Sequence, residues 1–264
     1  MYFIGFFSPR FYNFNKINKT PIFYEKLDKK SLNIVIKELK KAFGSYKISQ
    51  RKDSVLDTII ATKLSQNTTD KTAHIAYKNL KNAFPKWSDM LNAPLKSIEK
   101  EIRICGLAKT KAADIKNMLK QIFIQRKKVS LEYIRKFDND EVYNELLGFK
   151  GIGVKTASCV LSFALGRDVF PVDTHIHRIL NRTGALNSKT PEQTFELAKD
   201  LIPDKEKLSF HINLIKFGRN ICKAQKPLCG KCYIYDYCDF KEKESYIALN
   251  KYVTENNFII LENL

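Results

Sequence analysis

The spacing of apolar residues predicts helices along almost the whole chain from Leu32 onward. In Lys111–Phe123 the apolar residues recur at intervals of three and four, which places them on one face of a helix. Pro191–Ile202 shows the same spacing, and Pro191 suits the first turn of a helix. Two further segments with this pattern are Glu141–Leu147 and Leu208–Phe217. Because no alternating strand patterns joined by turns and no repeat of fixed period accompany them, the sequence predicts an all-α fold.

The length and composition are those of a globular protein. Of the 264 residues, 44% are hydrophobic and 28% are charged, which is not the composition of a disordered chain. This length fits one large domain or two smaller ones, since domains average roughly 100–200 residues. The longest apolar run, Ala157–Leu165, is interrupted by serines and is shorter than the roughly 18–20 residues that a membrane span needs. A membrane channel or transporter is therefore excluded.

The charge balance favours a polyanionic partner. Lys and Arg residues number 46 and Asp and Glu residues 28, so the formal net charge is +18 and the pI is near 9.5. Nucleic acid and anionic membrane surfaces are the usual partners of such a chain. The many Lys, Asn and Ile residues also fit a lysine-rich proteome, so the charge alone favours nucleic acid only slightly.

Four of the six cysteines lie close together near the end of the chain. Cys222, Cys229, Cys232 and Cys238 fall within 17 residues, which in a chain of this size is typical of a metal or cluster site in a reducing, intracellular compartment. Their spacing fits a tetrahedral zinc ion or a [4Fe-4S] cluster. Structural zinc usually takes two separated C-x2-C pairs, and this segment has one, so the spacing favours the cluster. Cys159 lies in an apolar helix and is interpreted as core.

A segment that contains glycines, Leu147–Ala157, joins two predicted helices. Gly151 and Gly153 form a G-x-G turn whose backbone can approach a ligand closely, because neither glycine has a Cβ. The helix that follows begins with unpaired N–H groups and the positive end of its dipole, which suits a phosphate. The same pattern also fits a tight helix–helix turn that binds nothing.

The segment Phe170–His175 places an aspartate, Asp173, 18 residues after Lys155. Asp173 followed by Thr174 is a common pair at the start of a helix, and an N-cap alone would explain it. A catalytic interpretation requires Asp173 and Lys155 to lie close together in the fold.

In this order and spacing, these motifs resemble the endonuclease III family of DNA glycosylases, part of the helix-hairpin-helix superfamily. The resemblance covers roughly Leu56–Cys238. Lys155 falls at the position of the family's catalytic lysine, and Asp173 at that of its catalytic aspartate. Leu64–Asp70 is similar to the loop that fills the space left by a flipped base. Gly106–Ala112 is similar to the loop whose leucine wedges into the duplex.

The resemblance implies a two-lobed all-α fold, a [4Fe-4S] cluster held by the four clustered cysteines, and double-stranded DNA with damaged bases or abasic sites as partner. The lobes would be a helical barrel over 56–167 and a cluster domain made of 25–55 and 168–241. Segments 1–24 and 242–264 have no counterpart, and we expect the first to be a mobile extension; its lack of acidic residues is also typical of organelle-targeting peptides. The implied DNA-contacting residues are Gln66, Asn67, Asp70, Leu107, Gly151, Gly153, His175, Lys223 and Lys226.

The implied activity is that of a monomeric, bifunctional base excision repair enzyme, which removes oxidised pyrimidines and then cuts the strand. Lys155 would displace the damaged base and form a Schiff base with the sugar, which requires an unprotonated amine. Asp173 would assist the loss of that proton. Leu107 and either Gln66 or Asn67 would fill the space that the extruded nucleotide leaves.

Departures from the family pattern concern the preferred lesion rather than the fold. The family usually has Gln where this chain has Asn67, its hairpin often reads Leu-Pro-Gly where this chain has Phe149–Gly151, and Leu147 replaces a carboxylate. They keep open a monofunctional glycosylase for alkylated or mismatched bases, in which Asp173 activates water. A third interpretation, a non-catalytic DNA-binding iron–sulfur protein, is disfavoured by the joint presence of Lys155 and Asp173.

Overall fold

The computed structural model of the chain describes residues 29–47 and 54–249. The predicted extension 1–24, residues 250–264 of the second extension, and residues 25–28 and 48–53 of the predicted cluster domain lie outside the described residues. The described part consists of helices and their connections and contains no strand, so the predicted all-α fold is confirmed. None of its helices combines the length and the apolar composition that a membrane crossing requires.

Ten α-helices form in this part of the chain, and three of the four predicted helical segments lie inside α5, α6 and α10. The helices are α1 (Lys29–Phe43), α2 (Val55–Leu64), α3 (Asp70–Ala83), α4 (Leu95–Ile102), α5 (Ala108–Arg126), α6 (Asn139–Leu147), α7 (Val154–Cys159), α8 (Thr174–Arg182), α9 (Pro191–Ala198) and α10 (Lys207–Asn220). A π-helical turn, Val160–Ala164, continues α7.

Side chains in front of the helices fix where several of them begin. Thr69 and Thr190 each accept a hydrogen bond from the backbone N–H three residues later, at the starts of α3 and α9. At α6, Asp138 and Glu141 cap each other's backbone N–H groups. Pro191 occupies the first turn of α9, as predicted. These caps satisfy N–H groups that have no partner within the helix.

The predicted helix Pro191–Ile202 is too long. Helix α9 ends at Ala198, after which the backbone turns more tightly and the Leu201 N–H donates to the carbonyl three residues back. Pro203 follows Ile202, and the residue before a proline disfavours helical backbone. Ile202 is nevertheless buried. The apolar spacing therefore identified the buried face correctly and overestimated the length of the helix.

The helices pack into two groups. In the first group α2 contacts α3, α5 and α7, while α4 contacts α3 and α5, and α6 contacts α7. Helix α2 is buried on nearly all sides, so it forms the centre of this lobe. In the second group α10 contacts α1 and α8, and α8 contacts α9. This arrangement agrees with the predicted two-lobed fold, whereas the predicted domain boundaries stay a prediction.

A close approach of α8 and α10 fixes the second lobe beside the site. A Cβ added to Gly218 would lie 3.0 Å from Cβ and Nδ1 of His175, so a larger residue would force the two helices apart. The Arg178 guanidinium donates to the carbonyls of Gly218 and Cys222, at 3.0 and 2.7 Å. Helix α8 is therefore attached both to α10 and to the start of the cysteine segment.

Candidate active site and cluster site

A cavity of about 480 Å³ lies between the two lobes and contains both predicted catalytic residues, Lys155 and Asp173. The first lobe contributes the end of α2, the loop after it and α7, and the second lobe contributes the starts of α8 and α9 and one face of α10. The wall includes Thr62, Gln66, Asn67, Asp70, Cys159, His175, Glu192, His211, Ile215 and Arg219. The proximity that the catalytic interpretation of the sequence required is therefore present.

The turn before α7 presents Lys155 to the cavity. Gly151 has a φ of +86°, a left-handed conformation that favours glycine. The Lys63 ammonium lies 3.4 Å from the Gly151 carbonyl oxygen and 2.7 Å from the Asp114 carboxylate, which ties the turn to α2 and α5. Gly153, the N-cap of α7, has extended backbone and is exposed, with open space where a Cβ would lie. Lys155 follows within the first turn of α7 and is half-buried.

Asp173 is the N-cap of α8 and also faces the cavity. Its Oδ1 accepts a hydrogen bond from the Ile176 N–H at 2.9 Å. Burial would raise the pKa of the Asp173 carboxyl, but His175, the Ile176 N–H and Lys155 together outweigh burial and hold this pKa below its usual value. The carboxylate is therefore ionised at neutral pH. The N-cap and the site interpretations of Asp173 are thus compatible.

Two histidines with lowered pKa values line the cavity. The His211 Nδ1–H donates to the Pro171 carbonyl at 2.8 Å, and its ring packs edge-on against Phe170. Burial lowers the pKa of His211 to about 4. Burial also lowers the pKa of His175. At neutral pH His211 is therefore uncharged.

The interpretation of Cys159 as core is incomplete. Its side chain is buried, but it lies one helical turn after Lys155 and lines the cavity. Burial raises the pKa of the Cys159 thiol, and the nearby charge of Lys155 acts in the opposite direction without reversing the shift. The thiol is therefore uncharged. The apolar spacing of α7 could not reveal this contact, because a residue at this position faces the core and the cavity at once.

Two loops carry the residues predicted to enter the duplex. In the filler loop, residues 65–69, Gln66 is half-buried and Asn67 is exposed with a φ of 53°. In the wedge, Gly106–Leu107, the leucine is 60% exposed and has a φ of 50°. A left-handed conformation is uncommon for leucine, and it holds this apolar side chain out in solvent, where it can contact another molecule.

Asp70 lies where direct contact with DNA is unfavourable. It is only 6% exposed, and its carboxylate accepts two hydrogen bonds from the Arg219 guanidinium, one of them at 2.8 Å. A carboxylate repels phosphate, whereas the arginine that it holds attracts it. Asp70 therefore holds the Arg219 guanidinium in place, and its predicted contact with DNA stays a prediction.

The four clustered cysteines line one pocket, and none of them forms a disulfide. Within the described residues, no three His, Cys, Asp or Glu side chains converge as a single metal ion requires. Burial, reinforced by the neighbouring thiols, raises the pKa of Cys232 to about 12. Thiolates at this position therefore need added positive charge, which the irons of a cluster supply. The pocket fits a centre that takes one thiolate per iron.

The backbone of the cysteine segment is anchored, and its lysines face solvent. Arg182 donates to the carbonyls of Lys223 and Ala224, at 2.6 and 3.0 Å. Lys223 is half-buried, while Lys226 and Lys231 are exposed. The segment can therefore present positive charge on a fixed support.

The sequence did not indicate the contribution of α10 to the cavity. His211, Ile215 and Arg219 all line it, at intervals of four residues. Residues at this spacing lie on one face of a helix. The sequence did contain one indication: two polar residues, His211 and Arg219, lie on a helix face that would otherwise be expected to be buried. This helix leads into the cysteine segment. Thr62 and Glu192 had no signal in the sequence.

Comparison with known families agrees with both parts of the site. Residues 60–204 match the family described as HhH-GPD superfamily base excision DNA repair protein. Residues 222–238, which run from the first to the last clustered cysteine, match the iron–sulfur binding domain of endonuclease III. The predicted [4Fe-4S] cofactor is therefore confirmed.

Individual relatives extend this similarity. A protein of Arabidopsis thaliana named as a candidate DNA glycosylase is 44% identical over 181 residues, which span 68% of this chain and 61% of the plant protein. Endonuclease III of Sulfolobus acidocaldarius is 36% identical over 203 residues, 76% of this chain and 88% of the archaeal protein. A solved structure described as a trapped endonuclease III–DNA covalent intermediate superposes with a TM-score of 0.70 at 29% identity and covers 83% of this chain and 98% of its own.

The cluster predicts the metal content of the purified protein. It should be yellow-brown and carry about four irons and four sulfides per chain, as a cubane with four cysteine ligands requires. Metal analysis and acid-labile sulfide determination measure both numbers. One zinc and no iron would contradict this assignment.

His211 predicts a contribution to stability that depends on pH. Because its folded pKa lies below that of the unfolded chain, the contribution is complete above about pH 6.5 and is lost as the pH falls toward about 4. Over this range the wild-type free energy of unfolding should fall by on the order of 2 kcal/mol more than that of His211→Gln. Denaturant unfolding at a series of pH values measures the difference. Parallel pH profiles for wild type and His211→Gln would refute the assignment.

Proposed function

Because the chain belongs to the endonuclease III family of helix-hairpin-helix base excision repair DNA glycosylases, we propose that it is bifunctional. In this proposal it removes oxidised pyrimidines from duplex DNA and cuts the strand on the 3′ side of the abasic site. The observation that carries it is the cavity shared by Lys155 and Asp173, an amine and an ionised carboxylate. The solved complex described as a trapped covalent intermediate supports the same class of chemistry.

The amine of Lys155 forms the covalent bond in this mechanism. Its unprotonated nitrogen attacks C1′ of the damaged nucleotide, and the glycosidic bond breaks with its electron pair leaving on the base. The nitrogen then loses a proton and the sugar ring opens, which gives a Schiff base between Lys155 and C1′. Loss of a proton from C2′ expels the 3′ phosphate and cuts the strand. Hydrolysis of the imine regenerates the lysine.

Asp173 has two tasks that both require its negative charge. It accepts a proton from the Lys155 ammonium, directly or through water, and it stabilises the positive charge that develops on the sugar as the base leaves. Its low pKa favours the second task more than the first, because a weakly basic carboxylate is a poor proton acceptor. The hydrogen bond from Ile176 keeps the carboxylate oriented toward the cavity throughout.

The remaining predicted residues bind and open the duplex. The wedge and the filler loop occupy the space left by the extruded nucleotide and offset part of the cost of unstacking it, a few kcal/mol. Gly151, Gly153, Lys223 and Lys226 are proposed to contact phosphates, which supply affinity without reading sequence. His175 is proposed to contribute from the cavity wall, and one chain is proposed to act as a monomer.

The preference for oxidised pyrimidines rests on the family and not on a base-recognition pocket. A monofunctional glycosylase remains the second candidate because Asn67 stands where the family usually has Gln. In that enzyme Asp173 would activate water, and Lys155 would form no covalent bond. Base release and strand cleavage measured on the same damaged duplex distinguish the two, since the monofunctional enzyme leaves the abasic strand intact.

Replacement of Lys155 tests the covalent role. Lys155→Gln should abolish strand cleavage and borohydride trapping on an abasic duplex while binding to that duplex is largely retained, because Gln keeps hydrogen-bonding capacity and lacks the amine. Asp173→Asn should slow base release severely and retain some trapping at a pre-formed abasic site, where no base must be expelled. Gel assays of trapping and cleavage, together with fluorescence anisotropy for binding, provide the measurements.

Lys150→Gln is the matched control for that experiment. It removes one positive charge from the same hairpin at an exposed position and leaves the Lys155 amine in place, so it should retain trapping. Cleavage by Lys155→Gln at the wild-type rate would exclude the covalent role. Base release by the wild type without any strand cleavage would favour the monofunctional enzyme.

Salt dependence tests the proposed phosphate contacts of the cysteine segment. The double variant Lys223→Glu/Lys226→Glu should weaken binding to all DNA sequences alike and flatten the dependence of log Kd on log salt, because fewer counterions are released. Lys127→Glu/Lys128→Glu is the control, since these exposed residues lie at the far end of α5, about 28 Å from the wedge for a helix of 19 residues. An unchanged slope in the first double variant would exclude the contact.

A further inference from the structure

A buried lysine, Lys111, lies behind the filler loop and the wedge. It is 2% exposed, and no carboxylate in the described part of the chain forms an ion pair with it. Its ammonium donates to the backbone carbonyl oxygens of Leu64 and Cys105, both at 2.9 Å, and lies 3.6 Å from the Cys105 thiol. Burying a charge costs free energy unless it is hydrogen-bonded, so the two carbonyl groups compensate for the burial of Lys111 and are in turn held in place by it.

Each of the two carbonyls belongs to the residue from which one loop begins. Leu64 is the last residue of α2, and the filler loop follows it directly. Cys105 immediately precedes the Gly106–Leu107 wedge. The two carbonyl groups lie 47 and 6 residues from Lys111 in sequence. One ammonium group therefore joins the bases of two loops that are far apart in the chain.

The electrostatics of the two carbonyls explain how the charge is accommodated. Carbonyl oxygens in the last turn of a helix have no partner within that helix and carry its negative dipole end, so a cation is favourable beside Leu64. Burial lowers the pKa of Lys111, and the neighbouring Cys105 acts in the opposite direction. Hydrogen bonds from a charged donor are also about twice as strong as those between neutral groups.

Both loops contain backbone that needs such support. Asn67 has a φ of 53° and Leu107 a φ of 50°, in the left-handed region that non-glycine residues rarely adopt. Such conformations persist only when the surrounding structure fixes them. Fixed loop bases keep the tip residues at a constant separation before DNA arrives.

We propose that Lys111 is a positioning residue that sets the separation of Leu107 and Asn67, so that both enter an opened duplex together. Lys111 touches neither DNA nor the reacting atoms and acts through the two loops. The inference rests on the proposed function, because it assigns these loops to the extrusion of a nucleotide. Loss of Lys111 should therefore impair the opening of duplex DNA and spare the chemistry on a nucleotide that is already unstacked.

The test uses a duplex that contains a tetrahydrofuran abasic analogue opposite 2-aminopurine, whose fluorescence rises when the base leaves the stack. At saturating protein, the rise gives the equilibrium constant for base extrusion, and this constant should be about tenfold smaller for Lys111→Met than for wild type, the effect of losing charged hydrogen bonds worth about 1.4 kcal/mol. Leu107→Ala should show a similar loss, because it shortens the wedge itself. Lys120→Met is the matched control: it removes the same charge from an exposed position of α5 and should behave as wild type.

Borohydride trapping on a single-stranded abasic oligonucleotide separates positioning from general damage to the fold. Trapping by Lys111→Met should stay within about threefold of wild type, because a single strand has no stack to open. Equal losses in both assays, or an undiminished fluorescence rise, would overturn the proposal. If Lys111→Met does not fold, Lys111→Gln takes its place with the same expected outcomes, because its neutral amide also lacks the charged hydrogen bonds of the ammonium.

The fluorescence assay is also independent of the proposed catalytic function. Tetrahydrofuran has no hydroxyl group at C1′ and cannot form a Schiff base. Failure of the covalent mechanism would therefore appear as absence of trapping by the wild type, with the fluorescence difference between wild type and Lys111→Met still present.

Discussion

The Asp173 carboxylate accepts the Ile176 N–H at the start of α8, and this hydrogen bond holds a negative charge inside the cavity that also contains Lys155. The rest of the site follows from this one constraint. Burial acts against the charge, so the cavity must supply compensating groups, and it does so with His175, the N-terminus of α8 and the nearby lysine. His211, which is buried in the same wall, has a pKa of about 4 and is neutral at neutral pH. A site that keeps an ionised carboxylate beside an amine is suited to a reaction that develops positive charge on a sugar.

Lysines placed inside the fold have a different purpose from those on the surface. Lys63 bridges Asp114 and the Gly151 carbonyl, and Lys111 bridges the bases of two loops. Both donate to backbone carbonyl groups near the central helix α2. The Leu64 carbonyl, at the end of α2, has no partner within that helix. Formal net charge therefore overstates the charge that faces a partner. By contrast, Lys226 and Lys231 of the cysteine segment are exposed to solvent.

The helical spacing of apolar residues allowed the all-α fold to be predicted, and the spacing of the four clustered cysteines favoured the cluster. The pairing of Lys155 with Asp173 was expected only from the resemblance to the endonuclease III family. Contributions from distant segments escaped prediction. Arg219 and His211 reach the cavity only because α10 packs against α8, and Gly218 makes that packing possible. Asp70 was expected to contact DNA, whereas its carboxylate is buried and accepts a hydrogen bond from Arg219. The early end of α9 was missed because the spacing of apolar residues takes no account of Pro203.

The most direct test of the account identifies the residue that becomes covalently attached to DNA. The wild-type protein is incubated with an abasic duplex and borohydride, the adduct is digested with protease and nuclease, and the modified peptide is sequenced by mass spectrometry. The account predicts a sugar remnant on Lys155 and on no other lysine. A remnant on another lysine, such as Lys63 or Lys150, would contradict the assignment of the nucleophile, and the absence of any adduct would contradict the covalent mechanism itself.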